Sequence, residues 1–129
     1  MGEQEVETIR KAYEDFNSGN VEGVIGILDE NVQWTEPGGG KSPSGTFTGP
    51  QSVAEEVFAA IPQNFDEFSA SPENFDDQGD RIVVTGRFSG KSKSGADLDS
   101  AFTHTYEMSG GKVVRLENQV DEGWAAAWS

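Results

Sequence analysis

Residues 101–121, AFTHTYEMSGGKVVRLENQVD, hold the single histidine of the chain inside a stretch that alternates like a strand. Strict alternation places Phe102, His104, Tyr106 and Met108 on one face and Thr103, Thr105 and Glu107 on the other. His104 therefore belongs to the apolar side, the side a core or pocket claims. Gly110 and Gly111 read as the central pair of a tight hairpin turn, pairing Ser109 with Lys112 and Met108 with Val113. Carried on without interruption, this register sets His104 opposite Glu117. It also puts Val113, Arg115, Glu117, Gln119 and Asp121 on the histidine's face. A dry core does not accept Arg115, Glu117 and Asp121 without partners, so the pattern predicts a wet cavity at one end of a sheet.

The rest of the chain supplies the frame. Residues 4–17 predict a helix with Val6, Ile9, Tyr13 and Phe16 on one stripe, stopped at NSGN. A short second helix carries Val21, Val24, Ile25 and Leu28. The period then changes to two: Val32, Trp34 and Glu36 share one side of a strand that ends at Pro37 and three glycines, read as a loop. TGPQSVAEEVFAAIP predicts a third helix capped at Gly49, begun at Pro50 and closed at Pro62, with Val53, Val57, Phe58 and Ile61 inward. Strands follow over 66–76 (an edge or bulged strand, because of Pro72), 81–91, 97–108 and 112–122. The terminal WAAAWS needs shelter for its two tryptophans. Three helices followed by a meander of long strands is an α+β order. The expected architecture is a cone-shaped, strongly bent antiparallel sheet with the three helices enclosing a pocket, in one domain over residues 1–129.

Composition removes several function classes. The chain has 129 residues, 34% hydrophobic, with 3 tryptophans, 2 tyrosines and 8 phenylalanines, enough for one core. No stretch approaches the roughly 20 apolar residues of a membrane helix, and the acidic, amphipathic start is unlike a secretory signal, so no membrane role and a cytoplasmic location are expected. With no cysteine and one histidine, thiolate chemistry is absent and no metal site is expected. No phosphate loop, nucleophile elbow or dinucleotide fingerprint occurs, so no cofactor is expected. The net charge of −14, from 23 acidic against 9 basic residues, repels a phosphate backbone and argues against nucleic acid. Two readings of that charge stand: a surface adapted to strong salt, or an ordinary acidic bacterial protein.

Several motifs together resemble the SnoaL-like and ketosteroid-isomerase-like proteins of the nuclear transport factor 2 superfamily. They are YEDFNSGNVEGVIGILDENVQW near the start, EP at 36–37, GTFTGPQSVAEEV, DRIVVTGRFSG and HTYEMSGGKVVRLENQVDE. The resemblance spans residues 4–122. It implies the NTF2-like, cystatin-like α+β barrel, an apolar pocket for a small organic ligand, and a homodimer. In the isomerases an aspartate before a proline is the general base; here that position is Glu36, and burial beside Trp34 would raise its pKa. Their helix-borne tyrosine falls at Ala12, with Tyr13 one step round. Their second oxyanion acid falls near Phe102 or Thr103, so steroid isomerisation in their manner is not expected. The SnoaL-like pattern of a histidine before the turn and a late aspartate matches His104 and Asp121. The resemblance implies that they serve as an acid/base pair for an aldol-type closure. In the uninterrupted register Asp121 lies four residues beyond the histidine's partner, roughly 13 Å along the strand.

The catalytic candidates are thus Asp121, His104 and Glu36. Tyr13, Trp34, Phe58, Phe102, Tyr106 and Gln119 are expected to line the pocket. Gln119 departs from the family pattern, which often has an aromatic there. Arg87 is read as a surface residue, and Arg115 as a partner of Glu117 or Glu107. The function expected is a cofactor-free isomerase, cyclase or hydrolase acting on an apolar carbonyl compound. The competing reading is a non-catalytic ligand-binding or dimeric scaffold module, and a third is an accessory role for a neighbouring enzyme through an outer sheet face bearing Val114, Leu116 and Val120.

Overall fold

The computed structural model describes residues 2–129. Helix α1 (Glu3–Asn17) turns its stripe inward, with Ile9, Ala12 and Tyr13 buried. Its last residue docks it: Asn17 donates from Nδ2 to the Ala70 carbonyl at 2.7 Å and accepts from the Ala70 N–H at 2.9 Å. One amide side chain thereby satisfies both backbone groups of an edge-strand residue. The second helix, α2 (Val21–Ile25), is shorter than expected, and Leu28 opens strand β1 (Leu28–Pro37) instead. The loop expected after Pro37 contains a further strand, β2 (Ser44–Thr48), which pairs back onto β1. Four of its five residues are Gly, Ser or Thr, and a lone Phe47 gives too little alternation to announce a strand.

The third helix, α3, begins at Pro50–Ser52, widens to a π-helix over Val53–Phe58 and closes over Ala60–Asn64, passing through Pro62. The wider turn is marked by the Ala59 N–H bonding to the Ala54 carbonyl at 3.0 Å. Four long strands follow: β3 (Phe65–Asp77), β4 (Ile82–Ser92), β5 (Asp97–Ser109) and β6 (Lys112–Val120). The first four residues of the terminal WAAAWS belong to a last helix, α4 (Glu122–Ala127), with Trp128 at its C-terminal cap.

The strands form one open, curved, six-stranded sheet in the order β2-β1-β6-β5-β4-β3. Every neighbouring pair is antiparallel except β1 and β6, which run parallel, so the sheet is mixed where a fully antiparallel one was expected. Its bend is built from register slips. Between β3 and β4 the pairing shifts at Phe65/Glu67 and again at Pro72/Asn74. Gly86 lies opposite Pro72, where a Cβ would come within 2.2 Å of the Ser71 carbonyl, so only glycine lets the two backbones close up there.

The decisive slip lies between β5 and β6. Gly110 and Gly111 take φ of 59° and 79°, as the hairpin turn requires. Met108 faces Val113, as expected. The register then jumps, so that Glu107 faces Arg115 and Val114 is the extra residue of a bulge. From there every side chain of β6 is on the face opposite to the one an uninterrupted register gives. His104 faces Asn118, not Glu117. Arg115, Glu117 and Gln119 are exposed, while Leu116 and Asn118 are buried. The outer face expected to carry Leu116 therefore loses it to the core, and among the described residues no large hydrophobic side chain is exposed. Arg87 pairs with Asp99 at 2.7 Å and Arg115 with Glu107 at 3.6 Å, both on the surface.

Candidate functional site

The concave side of the sheet and the helices enclose a cavity of about 70 Å³. Its walls are apolar and aromatic. Phe16 comes from α1, Phe58 from the π-turn of α3, Phe68 and Phe88 from the outer strands, and Trp124 and Trp128 from α4. Trp34 also lines it, so all three tryptophans of the chain meet there. The π-helix matters at this point, because it turns both Val57 and Phe58 toward the cavity. The last helix closes the space: Trp124 Nε1 donates to Ser42 Oγ at 3.1 Å, and the Lys41 N–H bonds to the Trp128 carbonyl at 2.8 Å.

Within this apolar shell sits a short row of polar side chains. The β1–β6 register sets Trp34 against Leu116 and Thr35 against Glu117, which brings Glu36 level with Asn118. Both oxygens of the Glu36 carboxylate accept hydrogen bonds: Oε2 from Trp34 Nε1 at 2.6 Å and Oε1 from Asn118 Nδ2 at 3.2 Å. Next to Asn118 across the sheet is His104, stacked on Phe102 at 4.1 Å between ring centroids. Its Nδ1 lies 2.6 Å from the Tyr13 hydroxyl, which accepts from the Tyr106 hydroxyl at 2.9 Å. Glu36, His104 and Asn118 are all buried.

Burial dominates the electrostatics. Taking the Glu36 carboxylate out of water pushes its pKa from 4.5 up to about 7, against the pull of the hydrogen bonds from Trp34 and Asn118. Burial pushes the His104 imidazole down from 6.5 to about 3, opposed by the nearby side chain of Asn118. The histidine is therefore neutral across the physiological range. Burial also raises both tyrosines, Tyr13 with a further contribution from Tyr106. No lysine or arginine lines the cavity. Among the described residues no group of three histidine, cysteine or carboxylate side chains is placed to hold a metal ion.

The structure thus brings together Tyr13, Trp34, Glu36, Phe58, His104 and Tyr106 around one cavity. Phe102 lies behind the wall, under the His104 ring. Gln119 does not belong to the site: the bulge at Val114 turns it outward. Asp121 is also placed elsewhere. It follows the end of β6 and caps α4, its Oδ1 accepting from the Gly123 N–H at 2.8 Å and its Oδ2 from the Ala101 N–H at 2.9 Å. Those backbone donors, Ala101 first and then Gly123, lower its pKa. A carboxylate fully engaged as a helix cap, and held more acidic than usual, is poorly suited to accept a proton. Asn118 was not anticipated, because the uninterrupted register turned it outward. The apolar beat Leu116, Val120 on either side of it is the signal that marks its true face.

This fold and cavity define an NTF2-like protein with a mixed α+β architecture. The sequence profile of the SnoaL-like domain family matches residues 9–116, and the chain belongs to that family. No protein of curated function matches the sequence significantly. Among solved structures, an NTF2-like protein of unknown function from Burkholderia pseudomallei is 26% identical, with 94% of this chain and 92% of that one covered and a TM-score of 0.81. TerC, co-crystallised with polyporic acid, is 27% identical over 92% of each chain, TM-score 0.79. Bal32a, from a soil-derived mobile gene cassette, is 24% identical over 98% of each chain, TM-score 0.88, a likeness of fold. No helix among the described residues is long and apolar enough to cross a membrane.

Proposed function

We propose that the protein binds a small, neutral, apolar carbonyl compound in this cavity and moves a proton on it, with Glu36 as the acid/base group and no cofactor. The observation that carries the reading is a carboxyl group sealed among aromatic side chains and raised to about 7. Such a group is close to half ionised at neutral pH. It can take a proton from carbon and return it at a second position, which is the requirement for isomerisation or for an aldol-type closure. An unionised carboxyl costs little in an apolar pocket, and a neutral ligand brings no charge that the cavity lacks a cation to match. TerC, co-crystallised with polyporic acid, supports the reading that this fold takes a small organic ligand. His104, neutral throughout, acts as a hydrogen-bonding neighbour, and Asp121 has no part in the chemistry.

The cavity, about 70 Å³, is about half of the ~150 Å³ that accommodates a benzene ring. Ligand entry therefore moves lining side chains, and the three tryptophans report it by fluorescence. The test is hydrogen exchange. The protein is incubated in D2O with a panel of neutral cyclic ketones chosen by tryptophan quenching, and deuterium uptake at carbon is followed by mass spectrometry. The reading expects uptake that falls by about 10² to 10⁴ in Glu36→Gln while quenching persists. Equal uptake in both proteins overturns it. Quenching without uptake favours the binding-module alternative. A homodimer and a cytoplasmic location remain part of the proposal. Sedimentation equilibrium tests the dimer.

A further inference from the structure

We infer that Asn118 is the positioning residue for the Glu36 carboxylate, its amide locked in one orientation by an Nε2-protonated His104 whose tautomer is set by Tyr13 and Tyr106. The inference rests on reading Glu36 as the proton acceptor and says how that group is held.

The hydrogen-bond directions favour one assignment, because the alternative, an Nδ1–H donating to Tyr13, leaves the buried Tyr13 proton without an acceptor. A tyrosine hydroxyl has one proton to give. Tyr106 donates its proton to the Tyr13 oxygen at 2.9 Å, so the Tyr13 proton is directed to His104 Nδ1 at 2.6 Å. With Nδ1 an acceptor, a neutral imidazole carries its proton on Nε2. Asn118 is the direct cross-strand partner of His104. Its Nδ2 is committed to Glu36 Oε1, and its Oδ1 is buried without a hydrogen-bond partner. The Nε2–H is the donor its strand neighbour has left to offer, and that bond would satisfy the buried oxygen. Turning the amide over would set its NH2 against the Nε2–H and its oxygen against the Glu36 carboxylate, two repulsions in a site without water-like screening. The proton order Tyr106, Tyr13, His104, Asn118 thus ends in an N–H aimed at Oε1, while Trp34 fixes Oε2. Both oxygens keep a second lone pair for a ligand proton. The titratable groups around Glu36 in the cavity are Tyr106, Tyr13 and His104, with no lysine or arginine among the lining side chains.

The single histidine makes the test clean. In protein labelled with 15N-histidine, one imidazole spectrum is expected, with Nε2 protonated and Nδ1 bare from pH 5 to 8. Tyr13→Phe should convert it to a tautomer mixture. The Glu36 titration is read separately by difference infrared spectroscopy against Glu36→Gln. Asn118→Leu should raise its midpoint by about one pH unit, a tenfold gain in proton affinity, through loss of a hydrogen bond to the charged form. Tyr13→Phe, which keeps the ring and its packing, should raise it in the same direction by less. A merely structural role for these residues would leave that midpoint unmoved. An Nδ1-protonated imidazole, or a Glu36 midpoint near 7 that ignores both substitutions, overturns the inference while leaving Glu36 as acid/base group intact. A midpoint near 4.5 in the unsubstituted protein would overturn the reading of Glu36 itself.

Discussion

Replacing Glu36 with glutamine removes a carboxyl group whose proton affinity changes greatly on folding, and stability against pH should record the change. The folded pKa is about 7 and the ordinary value 4.5. Because the folded value is the higher one, folding favours the protonated group. Its contribution is fully present below pH 4.5 and is lost as pH rises through 7. At 1.36 kcal/mol per pH unit, the gap between those values is about 3 kcal/mol. Surface carboxylates and the −14 net charge also make stability depend on pH, but they are common to both proteins and cancel in the difference. Glutamine changes the hydrogen bonds from Trp34 and Asn118, which adds an offset that does not vary with pH. The assay is urea unfolding of both proteins from pH 4 to 8.5. The stability of the parent minus that of Glu36→Gln should fall by about 3 kcal/mol across this range, most steeply between 4.5 and 7. A difference that stays flat, or rises with pH, refutes the burial argument.

His104 should show the opposite sign. Its folded pKa, about 3, lies below the ordinary 6.5, so its contribution is present above pH 6.5 and lost as pH falls toward 3. Relative to His104→Gln, the parent should lose about 5 kcal/mol over that window, read by an unfolding series extended down to pH 3. Asp121→Ala should lower the melting temperature through the lost cap of α4 and leave deuterium uptake within twofold. A collapse of uptake would return Asp121 to the chemistry. If the acidic surface is salt-adapted, the melting temperature should climb steadily from dilute buffer to multimolar potassium chloride, as counterions screen the self-repulsion. A flat profile identifies an ordinary acidic protein.

The elements were legible where periodicity is long. The stripe of α1 and the alternations of β1, β4 and β5 appear in the sequence much as they do in the fold. So does the inward facing of Trp34, Glu36, His104 and Tyr106, because two-residue alternation has one answer once a strand is assumed. What escaped was set by events that leave little local trace. The extra residue of the bulge is Val114, next to Val113, and either of these adjacent valines could have been the inward one. That slip moved Gln119 out, brought Asn118 in, and separated Asp121 from His104. The unease of placing Arg115 and Glu117 on an inner face was the physical clue, and the apolar flanks of Asn118 were the remedy. Strand β2 and the parallel pairing of β1 with β6 depend on tertiary closure, and neither has a pattern of its own.

The account stands on Glu36 being a buried acid that changes charge near neutrality inside an aromatic cavity. The most direct measurement is its own titration, by carbonyl-stretch infrared difference spectra between the parent and Glu36→Gln from pH 4 to 9. A protonated carboxyl band that persists above pH 5 and fades with a midpoint near 7 is the predicted result. A band already gone by pH 5 would contradict the account.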